Sequence, residues 1–298
     1  MKKAAVIDLG TNTFHLLIVE FEKEGFRELY RERRFIKLAE EGIETIGAVS
    51  YQRAIAAIAA YAKKIAEWDV DQVQAFGTAA LRTASNGPAL MQEIKDKTDI
   101  QIQLIDGDKE AALIHQGVIQ VVPMQKEPML IMDIGGGSVE FIIADQEQVY
   151  WAQSFPIGVA VLYKRFHQTD PISDQQKLDL LYFLERTLQP LKTALKATPC
   201  QSLVGASGTF DVIENMLGEA EHGPHCAEID ASRLGLVNGY IIASDLETRL
   251  AMDKMPAERA DMIVVALLLV EYVCKVAGIQ TIYVSAYAMK EGMLAEMR

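Results

Sequence analysis

Two short runs in this chain combine residue types that can hold a phosphate: Asp8-Leu9-Gly10-Thr11-Asn12-Thr13 and Asp133-Ile134-Gly135-Gly136-Gly137-Ser138. Each follows an apolar run (4–9 and 129–134) and leads into another (14–20 and 139–144), so each reads as strand, turn, strand. Glycine lets the backbone come close to a ligand. The N–H groups and hydroxyls of such a turn donate to phosphate oxygens. An aspartate just before the turn repels a phosphate unless a hard divalent cation stands between them. Magnesium, bound by one or two carboxylates plus phosphate oxygens, fits that place. Gly10, Thr11, Asn12, Thr13, Gly135, Gly136, Gly137 and Ser138 are therefore candidate phosphate contacts, and Asp8 and Asp133 candidate metal ligands. One such turn is usually only a hairpin; two related ones carry more weight.

The two runs are related by a repeat. Asp8 to Asp133 is an offset of 125 residues (133 − 8). A second pair, Gly77-Thr78-Ala79-Ala80 and Gly205-Ala206-Ser207-Gly208, has an offset of 128 (205 − 77). Chance resemblance of two glycine turns does not readily supply both. Each half is thus one α/β unit, and the alternation of elements predicts a mixed sheet with helices on its faces. In the first half we expect a helix over 50–68 capped by Ser50, strands over 73–76 and 100–105, and a helix over 109–121 stopped by Pro123. In the second half we expect strands over 129–134, 139–144, 148–154 and 201–205. A helix should start at the Ser173/Gln176 capping box and run to Lys196, interrupted near Pro190. An apolar helix over 259–277 closed by Gly278, a strand over 279–285 and a last helix over 289–298 complete the chain. The predicted domains are 1–125 and 126–298, with 286–298 packing back on the first.

Composition limits the partners. The net charge is −12, which argues against nucleic-acid binding. A polyanion must then be held by local devices: a cation, a few arginines, backbone N–H groups and helix N-termini. The cysteines, Cys200, Cys226 and Cys274, form no disulfide framework or zinc pattern, and reduced thiols in a cytoplasmic protein are expected. The longest apolar run, 263–270, ends at Glu271 and is too short to span a membrane. Asp8 and Asn12 interrupt what would otherwise look like a signal peptide after Lys2-Lys3. His222, His225 and Cys226 sit in a loop-like stretch with poor spacing for zinc. Arg31, Arg33, Arg34 and Lys37 read equally well as a solvated face and as a path for a polyanion.

Taken together, several ordered blocks resemble the exopolyphosphatase / guanosine pentaphosphate phosphohydrolase (Ppx/GppA) family. They are Ile7-Asp8-Leu9-Gly10-Thr11-Asn12-Thr13-Phe14-His15, Gly77-Thr78-Ala79-Ala80-Leu81-Arg82, Asp106-Gly107-Asp108-Lys109-Glu110-Ala111, Met132 to Glu140, Gly205-Ala206-Ser207-Gly208-Thr209 and Lys290-Glu291-Gly292-Met293-Leu294. The resemblance covers essentially the whole chain. It implies two duplicated actin-like (ribonuclease H-like) ATPase domains with a cleft between them. It also implies a short, two-lobed member that releases terminal phosphate from inorganic polyphosphate.

Roles follow from the same resemblance. On spacing alone Glu110 is an acidic residue that opens a helix and suits its dipole; the resemblance makes it the general base that activates water. Arg82, five residues after Gly77, matches an arginine that contacts phosphate, for which a guanidinium is well shaped. Asp133 and Glu140 match acidic positions tied to magnesium, with Asp8 beside them, and a monovalent cation is a further candidate. Gly208 and Thr209 match a glycine-rich turn lining the second lobe. His15, which pairs with Glu140 in the repeat, reads as structural.

Two residues and one loop depart from the family pattern: Ala112 and Lys290 stand where arginine is usual, and Asp106-Gly107-Asp108-Lys109 stands where Ser-Gly-x-Glu is usual. Guanosine pentaphosphate is the alternative substrate. A sugar or acetate kinase and a non-catalytic polyphosphate or nucleotide sensor are the rival functions. Pairing into a homodimer is expected.

Overall fold

Near-continuous apolar runs in its first two strands and two tight turns build the first sheet. Its strands are β1 (Lys3–Leu9), β2 (Thr13–Phe21) and β3 (Phe26–Phe35), then β4 (Gln72–Gly77) after helix α1 (Ala48–Glu67). After α2 (Ala79–Thr83) and α3 (Gly87–Thr98) comes β5 (Ile102–Leu104), and α4 (Gly107–Val118) follows. The second half supplies β6 (Met129–Ile134), β7 (Val139–Ala144), β8 (Val149–Phe155), α5 (Val159–Phe166), α6 (Asp174–Thr187), α7 (Gln189–Ala197) and β9 (Ser202–Ala206). Then come α8 (Gly208–Leu217), β10 (Ala220–Gly223), β11 (Cys226–Asp230), α9 (Leu234–Ala243), α10 (Leu246–Ala251), α11 (Ile263–Ala277), β12 (Thr281–Ser285) and α12 (Met289–Glu296). This is a computed structural model. It describes residues 2–124, 126–217, 220–223 and 225–298, with backbone only at 220–222.

The chain forms two units. The first holds Met1–Gly117, Gly135–Gly137 and Met289–Arg298, and the second holds Val118–Ile134 and Ser138–Ala288. Gln125, where the sequence reading puts its domain boundary, lies outside the described residues.

The strand orders expose the duplication. The first sheet runs β3-β2-β1-β4-β5, and the second runs β10-β11-β12-β9-β6-β7-β8. β1 is antiparallel to β2 and parallel to β4, as β6 is antiparallel to β7 and parallel to β9. So β1, β2, β3, β4 and β5 correspond in turn to β6, β7, β8, β9 and β12. This is a duplicated α/β architecture with one mixed sheet in each half. Ile7, Leu16, Ile18, Ile58, Leu90 and Ile94 belong to the first core, while residues 263–270 of α11 are buried in the second.

Some elements differ from the sequence reading for physical reasons. Helix α1 begins at Ala48 after Gly47, not at Ser50. Ser50 is buried, and its hydroxyl donates to the Lys37 carbonyl instead of capping the helix. Helix α4 starts two residues earlier than expected, because the Asp106 carboxylate accepts from Lys109 N at 2.9 Å and caps it. Helix α11 starts at Ile263, since turns such as Arg259 N to Pro256 O occupy the preceding stretch. The Ser173/Gln176 capping box is present, and Leu188 separates α6 from α7 before Pro190. The αL conformation of Gly278, φ 69°, closes α11.

Candidate active site

In the first unit the parallel strands β1, β4 and β5 all end at one edge of the sheet, where open α/β sheets place their ligands. Backbone bonds lock the ends together. Thr78 N donates to Leu9 O at 3.3 Å, and Ile105 N donates to Gly77 O at 3.1 Å. Three candidate segments therefore emerge side by side: Gly10–Thr13 after β1, Thr78 and α2 after β4, and Asp106 and α4 after β5.

The first turn is tight. Gly10 N donates to Thr13 O at 3.1 Å, and Leu38 N and Ile36 N donate to the carbonyls of Thr11 and Asn12. Gly135–Gly137 group with this unit and lie directly on that turn. A Cβ on Gly136 would stand 2.6 Å from Asn12 Cγ, and one on Gly137 would stand 2.6 Å from Thr11 Oγ1. An added side chain would have to displace Asn12 or Thr11, so glycine suits both positions. Asp8 lies in β1 opposite His15.

Arg82 is exposed on α2, and its Nη1 donates to the Ile105 carbonyl at 2.5 Å. That bond ties the guanidinium to the loop that opens α4. Glu110 stands in the first turn of α4, with its N–H on Asp106 O at 3.0 Å. It is only 8% exposed, so its carboxylate faces the protein rather than bulk water. The positive end of the α4 dipole favours negative charge here, whether carboxylate or phosphate. Lys109, one of the departing residues, is engaged in an ion pair with Glu296 of α12.

In the second unit β6, β9 and β12 end at a common edge in the same way. Asp133 and Glu140 are directly opposed across β6 and β7. Glu140 is 2% exposed, and its Oε1 accepts from Ser154 Oγ at 2.7 Å. Ser207 has a φ of 84°, rare for a non-glycine residue. Its hydroxyl donates to Ile134 O at 3.1 Å and accepts from Ile134 N at 3.2 Å. This fixes the Gly208–Thr209 turn against the end of β6. Thr209 is buried at the start of α8.

Among the described residues no group of three or more His, Cys, Asp or Glu side chains is arranged to hold a metal ion. Asp8, Asp133 and Glu140 do not form a ready cage. Their hard oxygen donors still suit magnesium, which keeps several waters and takes one or two carboxylates together with phosphate oxygens.

A profile of the Ppx/GppA phosphatase family matches residues 17–298. The chain belongs to that family. A crystal structure of an exopolyphosphatase from Cytophaga hutchinsonii is 36% identical, with a TM-score of 0.94, covering 99% of this chain and 97% of that one. Exopolyphosphatase 1 of Mycobacterium tuberculosis is 26% identical over 98% of this chain and 87% of its own length. A guanosine-5'-triphosphate,3'-diphosphate pyrophosphatase of Vibrio vulnificus is also 26% identical, over 98% of this chain but 59% of its own length.

In this phosphatase the structure adds one residue that the sequence reading treated only as a helix start. The Arg259 guanidinium covers Gly208: a Cβ there would fall 1.6 Å from Arg259 Nη2. Neighbouring Ala260 is held by buried Arg249, whose Nε donates to Ala260 O at 2.7 Å while its Nη2 meets Asp170 Oδ1 at 2.8 Å. No local signal links Arg259 to a turn fifty-one residues away (259 − 208).

The basic cluster has structural duties. Arg31 pairs with Glu28 at 2.8 Å and with fully buried Glu291 at 3.2 Å. Arg34 pairs with Glu32 at 2.7 Å and lies over the Tyr61 ring, and Arg33 lies over Phe35. Tyr61, whose hydroxyl donates to Phe14 O at 2.9 Å, has its pKa pushed well up by burial first and by nearby carboxylates, including Asp8. Burial, with Glu214 and Glu228 nearby, pushes the Cys226 thiol up to about 11. The His222 side chain of the weighed zinc tract lies outside the described residues, and no helix among those described is long and apolar enough to cross a membrane.

Proposed function

We propose that this phosphatase releases terminal orthophosphate from inorganic polyphosphate by in-line attack of water. Glu110 takes a proton from the water as its oxygen bonds to the terminal phosphorus. The bond to the bridging oxygen breaks, and the shortened chain leaves with the electron pair. The turns at Gly10–Thr13 and Gly135–Ser138 and the Arg82 guanidinium bind and orient the terminal phosphoryl group. Gly208, Thr209 and Arg259 are further phosphate-binding candidates, all within the second unit. Magnesium, when bound by Asp8, Asp133 and Glu140, would supply charge neutralisation. Positioning and electrostatic stabilisation then lower most of the barrier.

The observation that carries this reading is Glu110, a nearly buried carboxylate at a helix start, on the same sheet edge as a phosphate-type turn and a tethered arginine. The exopolyphosphatase names of the Cytophaga and Mycobacterium relatives support polyphosphate. The name of the Vibrio relative supports guanosine pentaphosphate as the second substrate. Orthophosphate release from each, with and without magnesium, tests the proposal. Equal inertness toward both substrates in every condition would overturn it. Phosphate transfer from ATP to an acceptor would favour the kinase reading instead.

A further inference from the structure

The last helix of the chain lies against the helix that carries Glu110. Lys109 of α4 is ion-paired with Glu296 of α12. One turn further along α4, the carbonyl of buried Leu113 sits on Gly292 of α12, four residues before Glu296. Residues four apart share a helix face. The two pairs, 109 with 296 and 113 with 292, therefore define one antiparallel contact. Glu110 falls between them, one residue after Lys109 and three before Leu113.

The contact at Gly292 is made by backbone. A Cβ there would overlap the Leu113 carbonyl, standing 2.7 Å from its carbon and 3.0 Å from Leu113 Cα. Ordinary carbon–carbon contact needs about 3.5 Å, so any side chain would drive the two helices apart by on the order of 1 Å.

Helix α12 is in turn fastened to the β2–β3 hairpin at both ends. Glu291, with none of its surface exposed, accepts from Arg31 Nη2 at 3.2 Å. A carboxylate taken out of water holds tightly to such a partner, because losing the cation leaves a buried charge uncompensated. At the other end Arg298 Nη2 donates to the carbonyls of Glu22 and Lys23, in the turn between β2 and β3. Met293 and Leu294 are buried between these anchors. All of these elements belong to the first unit. A continuous path of contacts thus runs from the sheet through α12 to the first turn of α4.

We infer that Gly292 is a positioning residue: by letting α12 close onto the Leu113 carbonyl, it sets where α4 begins and so where the Glu110 carboxylate stands at the sheet edge. Gly292 has no functional group, so it acts on the reaction only through what it touches. The inference rests on the reading of Glu110 as the base. Water must be held in line with phosphorus, and a misplacement of about 1 Å costs on the order of 10²-fold in rate.

A double-mutant cycle tests it. Single-turnover orthophosphate release from end-labelled polyphosphate, with magnesium, is measured for the parent, Gly292→Ala, Glu110→Gln and the double variant. Gly292→Ala should lower the rate about 10- to 10²-fold and leave polyphosphate affinity within about threefold of the parent. In the Glu110→Gln protein the same substitution should cost less than about threefold, because the group it misplaces no longer acts as a base. Equal factors in the two backgrounds, or no loss in the parent background, would overturn the inference. Thermal melts report whether Gly292→Ala folds. Should it not, Glu296→Ala carries the same cycle at a partly exposed ion pair, with a loss of about two- to fivefold in the parent background and none in Glu110→Gln. A Glu110→Gln rate equal to the parent's removes the base reading and this inference with it. A slow Glu110→Gln with equal Gly292→Ala factors removes the inference alone.

Discussion

Arg82 Nη1 donates to the carbonyl of Ile105, so the guanidinium is tied to the loop that opens the Glu110 helix. The arginine on α2 and the loop that leads to the carboxylate after β5 are thus joined directly. Arg82→Ala removes both the cation and the tether. We expect kcat/KM for orthophosphate release to fall about 10²-fold. The melting temperature should hardly change, because Arg82 is exposed. Arg82→Lys should recover only part of the loss, since an ammonium lacks the planar fork.

Gly137 allows the two phosphate-type turns to touch. An added Cβ would meet Thr11 Oγ1 at 2.6 Å, Ile43 Cδ1 at 3.0 Å and Ala79 Cβ at 3.1 Å. Gly137→Ala should cost about 1–3 kcal/mol by overpacking and lower phosphate release at least about tenfold by shifting the turn. Gly235→Ala is the control. It lies in helix α9 with nothing within 4 Å of the added atom, and it should stabilise by about 0.5–1 kcal/mol with unchanged activity. Thermal melts and phosphate release together separate the two cases.

What the sequence disclosed is what short local patterns encode. The turns at Gly10 and Gly135 were legible from residue type, and the repeat gave the duplicated sheet. Strand β3 was not legible, because Arg27, Glu28, Arg31, Glu32, Arg33 and Arg34 carry no apolar alternation. It is an edge strand, paired along β2 on one side, and charges suit an exposed edge. Helix α3 was missed for a similar reason: it starts at Gly87-Pro88 and shows only Leu90 and Ile94 as buried apolar positions beyond Gly87. The Arg259 contact at Gly208 comes from tertiary packing, and nothing in its neighbourhood announces it.

Gly208→Ala tests that contact. The added methyl collides with the far end of a flexible side chain rather than with backbone. The fold should therefore survive, with a melting temperature within a few degrees of the parent. The displaced Arg259 should raise KM for long polyphosphate several-fold while kcat for a short chain holds. An unchanged KM would remove Arg259 from the substrate path.

Acid stability should show His167 separately from the carboxylates. Burial holds its imidazole below the ordinary 6.5, opposed by Asp170 at 3.3 Å and by Asp261, and reinforced by Arg249. The Tyr163 ring packs edge-on against it. The folded state thus binds fewer protons than the unfolded chain below about 6.5, and stability falls as pH drops from there toward the lowered folded value. Glu40, held low chiefly by its hydrogen bond from Arg53, keeps its contribution above the ordinary 4.5 and loses it only as pH falls through its lowered folded value. His167→Gln should flatten the melting-temperature profile just below pH 6.5 and leave the more acid limb intact.

The central claim is that Glu110 takes the proton from the attacking water. Single-turnover orthophosphate release from end-labelled polyphosphate, with magnesium, compares the parent with Glu110→Gln. The amide keeps the size and one acceptor oxygen but cannot act as a base. We expect the rate to fall about 10²–10⁴-fold, with polyphosphate affinity within about threefold of the parent. A Glu110→Gln rate equal to the parent's would contradict the account.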